Sequence, residues 1–224
     1  MPLILFLVDC GLELIPKGIR THSSVKRNLN SKNYTSQLLD NALHHSAMKK
    51  LRNKEKRGRP DILHLCLLNA LGSPLNKAGK LEIYFHTVKN RIFKVNPEIR
   101  ITKNFNRFKG LMAKLLIDGE IRIKFGYLIS PVRKSLQNTI NQIRDSKINL
   151  FSHRGTFIKN YETLFPSESN KNQICIVGGF QKGSFSKTIS NISNKLISIS
   201  QYPLNAWNVV NRVLSYYEIT HEVY

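Results

Sequence analysis

Acidic residues are scarce in this chain: 14 Asp and Glu stand against 35 Lys and Arg over 224 residues, a formal charge of +21. That scarcity weighs against hydrolases built on paired carboxylates and nucleases built on two metal ions. Neither a serine–histidine–acid triad nor a metal-ligand cluster stands out, so no metal is expected. Long apolar runs are missing too. The longest, Leu3 to Val8, falls far short of the ~20 residues that cross a bilayer, and it has neither the basic leader nor the small-residue cleavage site of a secretory signal. Only three cysteines occur, Cys10, Cys66 and Cys175, far apart and within or beside apolar segments. Their number and spacing exclude a CxxC zinc framework and a disulfide scaffold, and are those of buried thiols in a reducing compartment. Internal repeats and long low-complexity segments are also absent. The expectation is a soluble intracellular protein with no membrane partner.

What is present is a core. Hydrophobic residues make up 41% of the chain, with 11 Phe and 8 Tyr, which excludes a disordered basic tail and suits one domain spanning 1–224. A folded chain carrying +21 repels itself, and a polyanion relieves that repulsion. Nucleic acid is the leading partner by charge, with an anionic membrane surface second.

The run PLILFLVDCGLELI (2–15) reads as a buried, parallel strand ending at Asp9. A polar loop follows over 20–35, then a helical face over 36–51. The densest basic segment, KKLRNKEKRGRPD (49–61), holds seven cations and leads into a buried helix starting at Pro60. Residues 79–97 read as a hairpin around Lys89-Asn90, 105–116 as a helix and 121–129 as one alternating strand. Pro131 opens a basic amphipathic segment to Ile143. Strands at 173–180 and 195–200 precede a C-terminal helix beginning at Pro203. Alternating strands and helices predict an α/β fold with a mainly parallel sheet.

Four constellations carry chemistry. Gly178 to Gly183 (GGFQKG) follows a strand, where glycines admit a ligand close to the backbone; the pattern is neither GxGxxG nor a P-loop, and a plain turn explains it equally well. Ile199-Ser200-Gln201-Tyr202-Pro203-Leu204 is a second strand end, where Tyr202 and Leu204 suit a flat apolar group such as adenine, or simply join strand to helix. Arg59 and Asp61 straddle Pro60 and can form a charge-assisted pair, either a rigid fork for phosphate or an ordinary helix-capping ion pair. His64, on the buried helix, reads as a core histidine. Arg100, Lys103 and Arg107 stand at i, i+3 and i+7, one face of a helical turn, interleaved with Phe105 and Phe108.

Together, GLELIPK (11–17), LLDNALHHSAM (38–48), RGRPDILHLCLL (57–68), SPLNKAG (73–79), VNPEIRITKNFNRFKGLM (95–112), IVGGFQKGSF (176–185) and ISQYPLNA (199–206) resemble, in order and over most of the chain, the pseudouridine-specific rRNA methyltransferases of the SPOUT (α/β-knot) superfamily. The resemblance implies an α/β trefoil-knot fold with an extra β-hairpin, a homodimer, and S-adenosylmethionine as the donor for N1 of a pseudouridine in small-subunit ribosomal RNA, with a role in subunit assembly. It implies a cytoplasmic location, or a nucleolar one if the source is a eukaryote. A basic RNA-binding region and hairpin would occupy about 49–108, and the cofactor-binding knot about 173–219. Carried over by residue, Gly178, Gly183 and Ile199 to Leu204 fall on the cofactor loops, and Arg59, Arg100, Lys103 and Arg107 on RNA-contacting positions. Asp61 falls on the acid that holds the motif arginine. Where the family has a proline-flanked loop with Asp and His, the first cofactor loop, this chain reads SPVRKSL (130–136), and the helix motif's His-Gln is His64-Leu65.

Pseudouridine N1 carries a proton that must leave as the methyl arrives. Asp61 is the obvious base, but pairing with Arg59 weakens it for that task. The reading adopted is that Asp61 orients Arg59 and that alignment of N1 against the methyl sulfonium does most of the catalysis. A non-catalytic RNA-binding assembly factor on the same fold is the alternative.

Overall fold

The apolar run that opens the chain becomes the centre of the sheet. A computed structural model describes residues 2–193 and 195–224. Within it, strands β1 (Leu3–Cys10), β2 (Leu81–Thr87), β3 (Ile92–Val95), β4 (Ile121–Ile123), β5 (Gly126–Val132), β6 (Ser146–Phe157), β7 (Asn172–Gly178) and β8 (Leu196–Ser198) lie in the order β4-β5-β3-β2-β1-β7-β6-β8. Pairings from β2 through β1, β7 and β6 to β8 are all parallel; β3, β5 and β4 extend one edge antiparallel. The mainly parallel α/β sheet expected from the sequence is therefore observed.

Every residue of β1 is buried, because parallel neighbours flank it and both faces are covered. Leu3, Leu5 and Leu7 point to the larger core, which the helices Pro60–Gly72, Phe105–Asp118 and Ala206–Thr220 cover with Leu63, Phe108 and Val213 among others. Ile4, Phe6 and Val8 point to the opposite core, closed by Leu136 and Ile140 of the helix Leu136–Asn141. A small satellite core of Ile15, Ile19, Val25, Leu39, Ala47 and Met48 holds the 15–48 segment down. All three cysteines are free and buried, as expected, and burial pushes each thiol up.

Several local expectations are corrected. The 20–35 stretch holds two short helices, Ser23–Lys26 and Tyr34–Gln37, capped by His22 and Asn33. The helix expected over 36–51 is confined to Asn41–Met48, because Leu38 is drawn into a bridge with Leu14 and Asp40 caps the helix through Ala42 N–H. The alternation over 121–129 is broken by an antiparallel turn between Ile123 and Gly126, giving two strands. Pro131 lies within β5, an edge-type position its missing N–H tolerates, and the following helix starts at Leu136 under a Ser135 cap. The C-terminal helix starts at Ala206, after Asn205, and not at Pro203. The Leu81–Val95 hairpin turns at Asn90, whose φ of 56° is a left-handed conformation that asparagine accepts.

Two buried imidazoles make the fold sensitive to acid. Burial pushes His44 and His86 below their ordinary value of 6.5, against the opposing pull of Asp40 and Asp9 respectively. A histidine held neutral in the folded state contributes its full share above 6.5 and loses it as pH falls through its depressed folded value. The urea midpoint is therefore expected to drop between about pH 7 and about pH 5. A midpoint that stays flat over that range contradicts neutral buried imidazoles.

Candidate active site

A cavity of about 770 Å³ opens at the carboxyl ends of β6, β7 and β8, where open α/β sheets hold their ligands. Three stretches wall it. β7 runs into Gly178 and Gly179; Gly179 N–H donates to Val8 O at 2.7 Å and Gly11 N–H to Gly179 O at 3.2 Å, which pins this loop to the end of β1. A Cβ on Gly179 would stand 2.5 Å from Cys10 Sγ, and Gly183 adopts φ +113°, so both positions require glycine.

The second wall comes from β6. Phe151 and Thr156 both face Ile197 of β8, so the residues between them bulge outward and carry Ser152, His153 and Arg154 to the cavity. Arg154 Nη1 reaches the glycine loop, donating to Ser184 Oγ at 3.1 Å. The third wall is the turn after β8. Ser198 Oγ–H donates to Ser200 O at 2.7 Å and Tyr202 N–H to Ser200 Oγ at 3.0 Å, a tight turn that leaves the Tyr202 ring 73% exposed at the cavity mouth. Phe151, Val177, Ile199 and Leu204 supply apolar surface beside these polar loops, a lining suited to a flat heterocycle with a polar tail. Among the described residues, no group of His, Cys, Asp or Glu side chains could hold a metal ion.

Beside the glycine loop lies a buried carboxylate. Asp9 closes β1 with a left-handed φ of 51° and is only 4% exposed. Its oxygens accept from Ser186 N–H at 2.8 Å, Ser186 Oγ–H at 3.0 Å and Lys56 Nζ at 3.2 Å. Its own N–H donates to His86 Nδ1 at 3.3 Å. Lys56 also lies over the Phe180 ring, 4.6 Å from its centroid. Asp9 therefore joins the end of the glycine loop to the basic 49–61 segment.

The few acids of this chain go on organising that segment. Glu13, buried in GLELI, takes Arg57 Nε and Nη2 at 2.5 and 2.6 Å. Asp61 takes Arg59 Nε and Nη2 at 2.8 and 2.6 Å, and this bonding raises the Arg59 pKa. Arg59 N–H donates to Gly11 O at 2.9 Å, where a Cβ on Gly11 would meet Lys56 O at 2.7 Å. The basic loop thus lies directly on the chain leaving β1.

Comparison with known proteins agrees with this arrangement. The family model described as EMG1/NEP1 methyltransferase matches residues 5–218. The chain belongs to the EMG1/NEP1 methyltransferase family. It is 40% identical over 216 residues to the ribosomal RNA small subunit methyltransferase Nep1 of Staphylothermus marinus, covering 95% of this chain and 94% of that protein. The corresponding protein of Thermococcus onnurineus is 39% identical, with 96% and 97% covered. Among solved structures, Archaeoglobus fulgidus Nep1 bound to S-adenosylhomocysteine superposes with a TM-score of 0.84 at 33% identity, covering 99% of this chain and all of that one.

Within this EMG1/NEP1 member, Gly178, Gly183, Ile199, Ser200, Tyr202, Pro203 and Leu204 line the main cavity together. Gln201 lines the neighbouring cavity of about 300 Å³ instead, alongside Tyr161 and Arg212. The Arg59–Asp61 pair forms as expected. His64 is a core residue, its Nε2 2.7 Å from Thr102 O and its ring stacked on Phe108. Arg100, Lys103 and Arg107 are all exposed but do not share a helix face. The helix starts at Phe105 under an Asn104 cap, and the bond that Thr102 O accepts from His64 Nε2–H holds the preceding residues in irregular backbone. The segment 130–136 does not reach the cavity: Ser130 to Val132 pair with β3, and none of its residues lines it. The β6 bulge at 152–154 forms that wall of the cavity instead. Asp9, Glu13 and this bulge were missed from the sequence, although buried acids in so basic a chain are themselves a signal.

Proposed function

We propose that this chain uses S-adenosylmethionine to methylate N1 of a pseudouridine in small-subunit ribosomal RNA and acts in small-subunit assembly. The observation that carries this reading is contiguity: the three-walled cavity and the Lys56–Asp61 loop meet through Asp9, so a donor site and an RNA-facing loop adjoin. The walls fit the cofactor. The glycine loop leaves the room a Cβ would fill, and the 199–204 turn offers apolar surface for adenine. When bound, S-adenosylmethionine supplies a methyl group on a positively charged sulfur.

The chain's own residues then have distinct tasks. Gly178, Gly183 and, from the turn after β8, Ile199, Ser200, Tyr202, Pro203 and Leu204 would hold the cofactor. Arg59, fixed by two bonds to Asp61, presents its remaining N–H donors to the RNA, and Arg100, Lys103 and Arg107 contact phosphates. Both Asp61 oxygens already accept guanidinium protons, so taking the N1 proton would break a charge-assisted bond. Asp61 is therefore the residue that positions Arg59, and orientation of N1 does most of the catalytic work. Extrusion of the base costs little in a single-stranded loop.

The region of about 49–108 faces RNA, and about 173–219 forms the cofactor-binding knot. The molecule works as a homodimer, which sedimentation velocity tests. The departure at 130–136, the one sequence feature that favours an assembly factor without cofactor binding, lies outside the cavity.

Labelled methyl transfer to two matched hairpins, one with pseudouridine in the loop and one with uridine, tests the activity. Incorporation into the pseudouridine hairpin alone is expected; none into either, with tight binding to both, favours the assembly factor. Asp61→Gly is expected to weaken RNA binding by about tenfold and lower stability while leaving single-turnover transfer at saturating RNA largely intact. Unchanged binding with abolished transfer would make Asp61 the base.

A further inference from the structure

A third cavity, of about 380 Å³, opens between the 28–44 segment and the first turns of the Phe105–Asp118 helix, sharing no lining residue with the cofactor cavity. The volume falls within the roughly 300–1,000 Å³ typical of small-ligand pockets. Its wall holds an unpaired donor. His44 is 1% exposed, and its Nδ1 accepts Asp40 N–H at 3.1 Å, which fixes the ring proton on Nε2. That Nε2 is buried with no hydrogen-bond partner. A buried donor left unmade is costly, and a partner from outside the chain, a water or a ligand group, would satisfy it.

Lys109 stands on the same wall. Its ammonium is bonded to Asp40 Oδ2 at 2.9 Å and lies over the Phe105 ring, and its other N–H groups remain available. Because Asp40 already balances that charge, the cavity suits a neutral polar ligand better than a phosphate. Asn33 and Asn106 add amides, and Leu43, 45% exposed, adds a flat apolar side. The cavity also adjoins the RNA-facing loop: Asn41 N–H donates to Gly58 O at 2.7 Å, and Asn106 precedes the exposed Arg107.

We infer that this cavity is a nucleobase subsite that takes one unpaired, carbonyl-bearing base of the RNA, uracil or guanine, with His44 Nε2–H and the Lys109 ammonium as donors and Leu43 against the base face. The inference rests on the RNA-methyltransferase reading and deepens it: the enzyme reads a base other than the one it methylates. Helix Asn41–Met48 and helix Phe105–Asp118, anchored to each other through Lys109 and Asp40, form a rigid frame for that reading.

The test is fluorescence anisotropy on the pseudouridine hairpin and on hairpins each lacking the base at one other loop position. Wild-type protein is expected to lose about tenfold in affinity at one such position. In His44→Phe the intact hairpin binds about tenfold more weakly and that position-specific loss disappears, with the salt dependence unchanged. If His44→Phe does not fold, Leu43→Ala combined with Asn106→Ala, on the rim, carries the same comparison. Identical penalties in wild type and variant at every position overturn the subsite, as does a shallower salt slope in the variant, which would mean a phosphate contact. A wild-type protein that binds no hairpin overturns the RNA reading itself, and the subsite with it.

Discussion

Gly155→Ala is expected to raise the dissociation constant for S-adenosylhomocysteine by about a hundredfold, read by calorimetric titration. The reason is local and steric. A Cβ at position 155 would stand 2.4 Å from Ile197 N and 2.4 Å from Leu196 C, closer than real Cβ atoms come to backbone. Those atoms belong to β8 and cannot swing aside as a side-chain tip can. Relief requires β6 and β8 to separate, and their separation moves both the 152–154 bulge and the 199–204 turn, two of the three cavity walls. Overpacking of this kind also costs about 1–3 kcal/mol of stability. Gly72→Ala is the control, because nothing lies within 4 Å of its added Cβ, and it is expected to bind like wild type. Equal affinity in the two variants would mean that the bulge does not shape the site.

Asp9→Ala is expected to lower stability by about 3–5 kcal/mol, because it leaves Lys56 and both Ser186 donors without their shared acceptor in a buried position. For a chain of this size the melting temperature should fall by about 10 °C. Cofactor affinity should fall with it, since Ser186 ends the glycine loop. Asp9→Asn separates charge from shape. Asparagine tolerates the left-handed backbone and still accepts Ser186 N–H, so the fold should survive while the ion pair with Lys56 is lost. The asparagine variant should therefore melt between wild type and alanine. An alanine variant that melts and binds like wild type would remove Asp9 from any organising role.

How much of this could be read beforehand differs from element to element. β1 was legible because a short, continuous apolar run, Leu3 to Val8, ends at Asp9, the pattern of a strand covered on both faces. The helix at Pro60 was legible because proline pre-sets its first turn, and the 81–95 hairpin because its apolar residues alternate around an Asn turn. β6 was not. Its sequence, SKINLFSHRGTF, has an apolar stretch too short to stand out, followed by polar residues and a glycine. Pairing with β7 on one side and β8 on the other makes it a strand. Likewise, Asp9 read as the polar end of a strand, and its partners Ser186, Lys56 and His86 lie far away in the chain.

By itself the sequence determined the local periodicities, the basic character, the buried thiols and, through motifs in family order, the loops at 178–183 and 199–204 whose residues line the cavity. Those features depend on neighbours within a turn or a strand, or on recognised segments, so they survive without coordinates. The tertiary structure alone decided which carboxylate meets which cation, that β6 rather than the 130–136 segment walls the cavity, and that His44 keeps an unpaired donor beside Lys109. Each of these depends on residues brought together from distant parts of the chain by parallel pairing and helix packing. Local composition carries no record of such contacts, because the core and sheet register that enforce them form only when the whole sheet does.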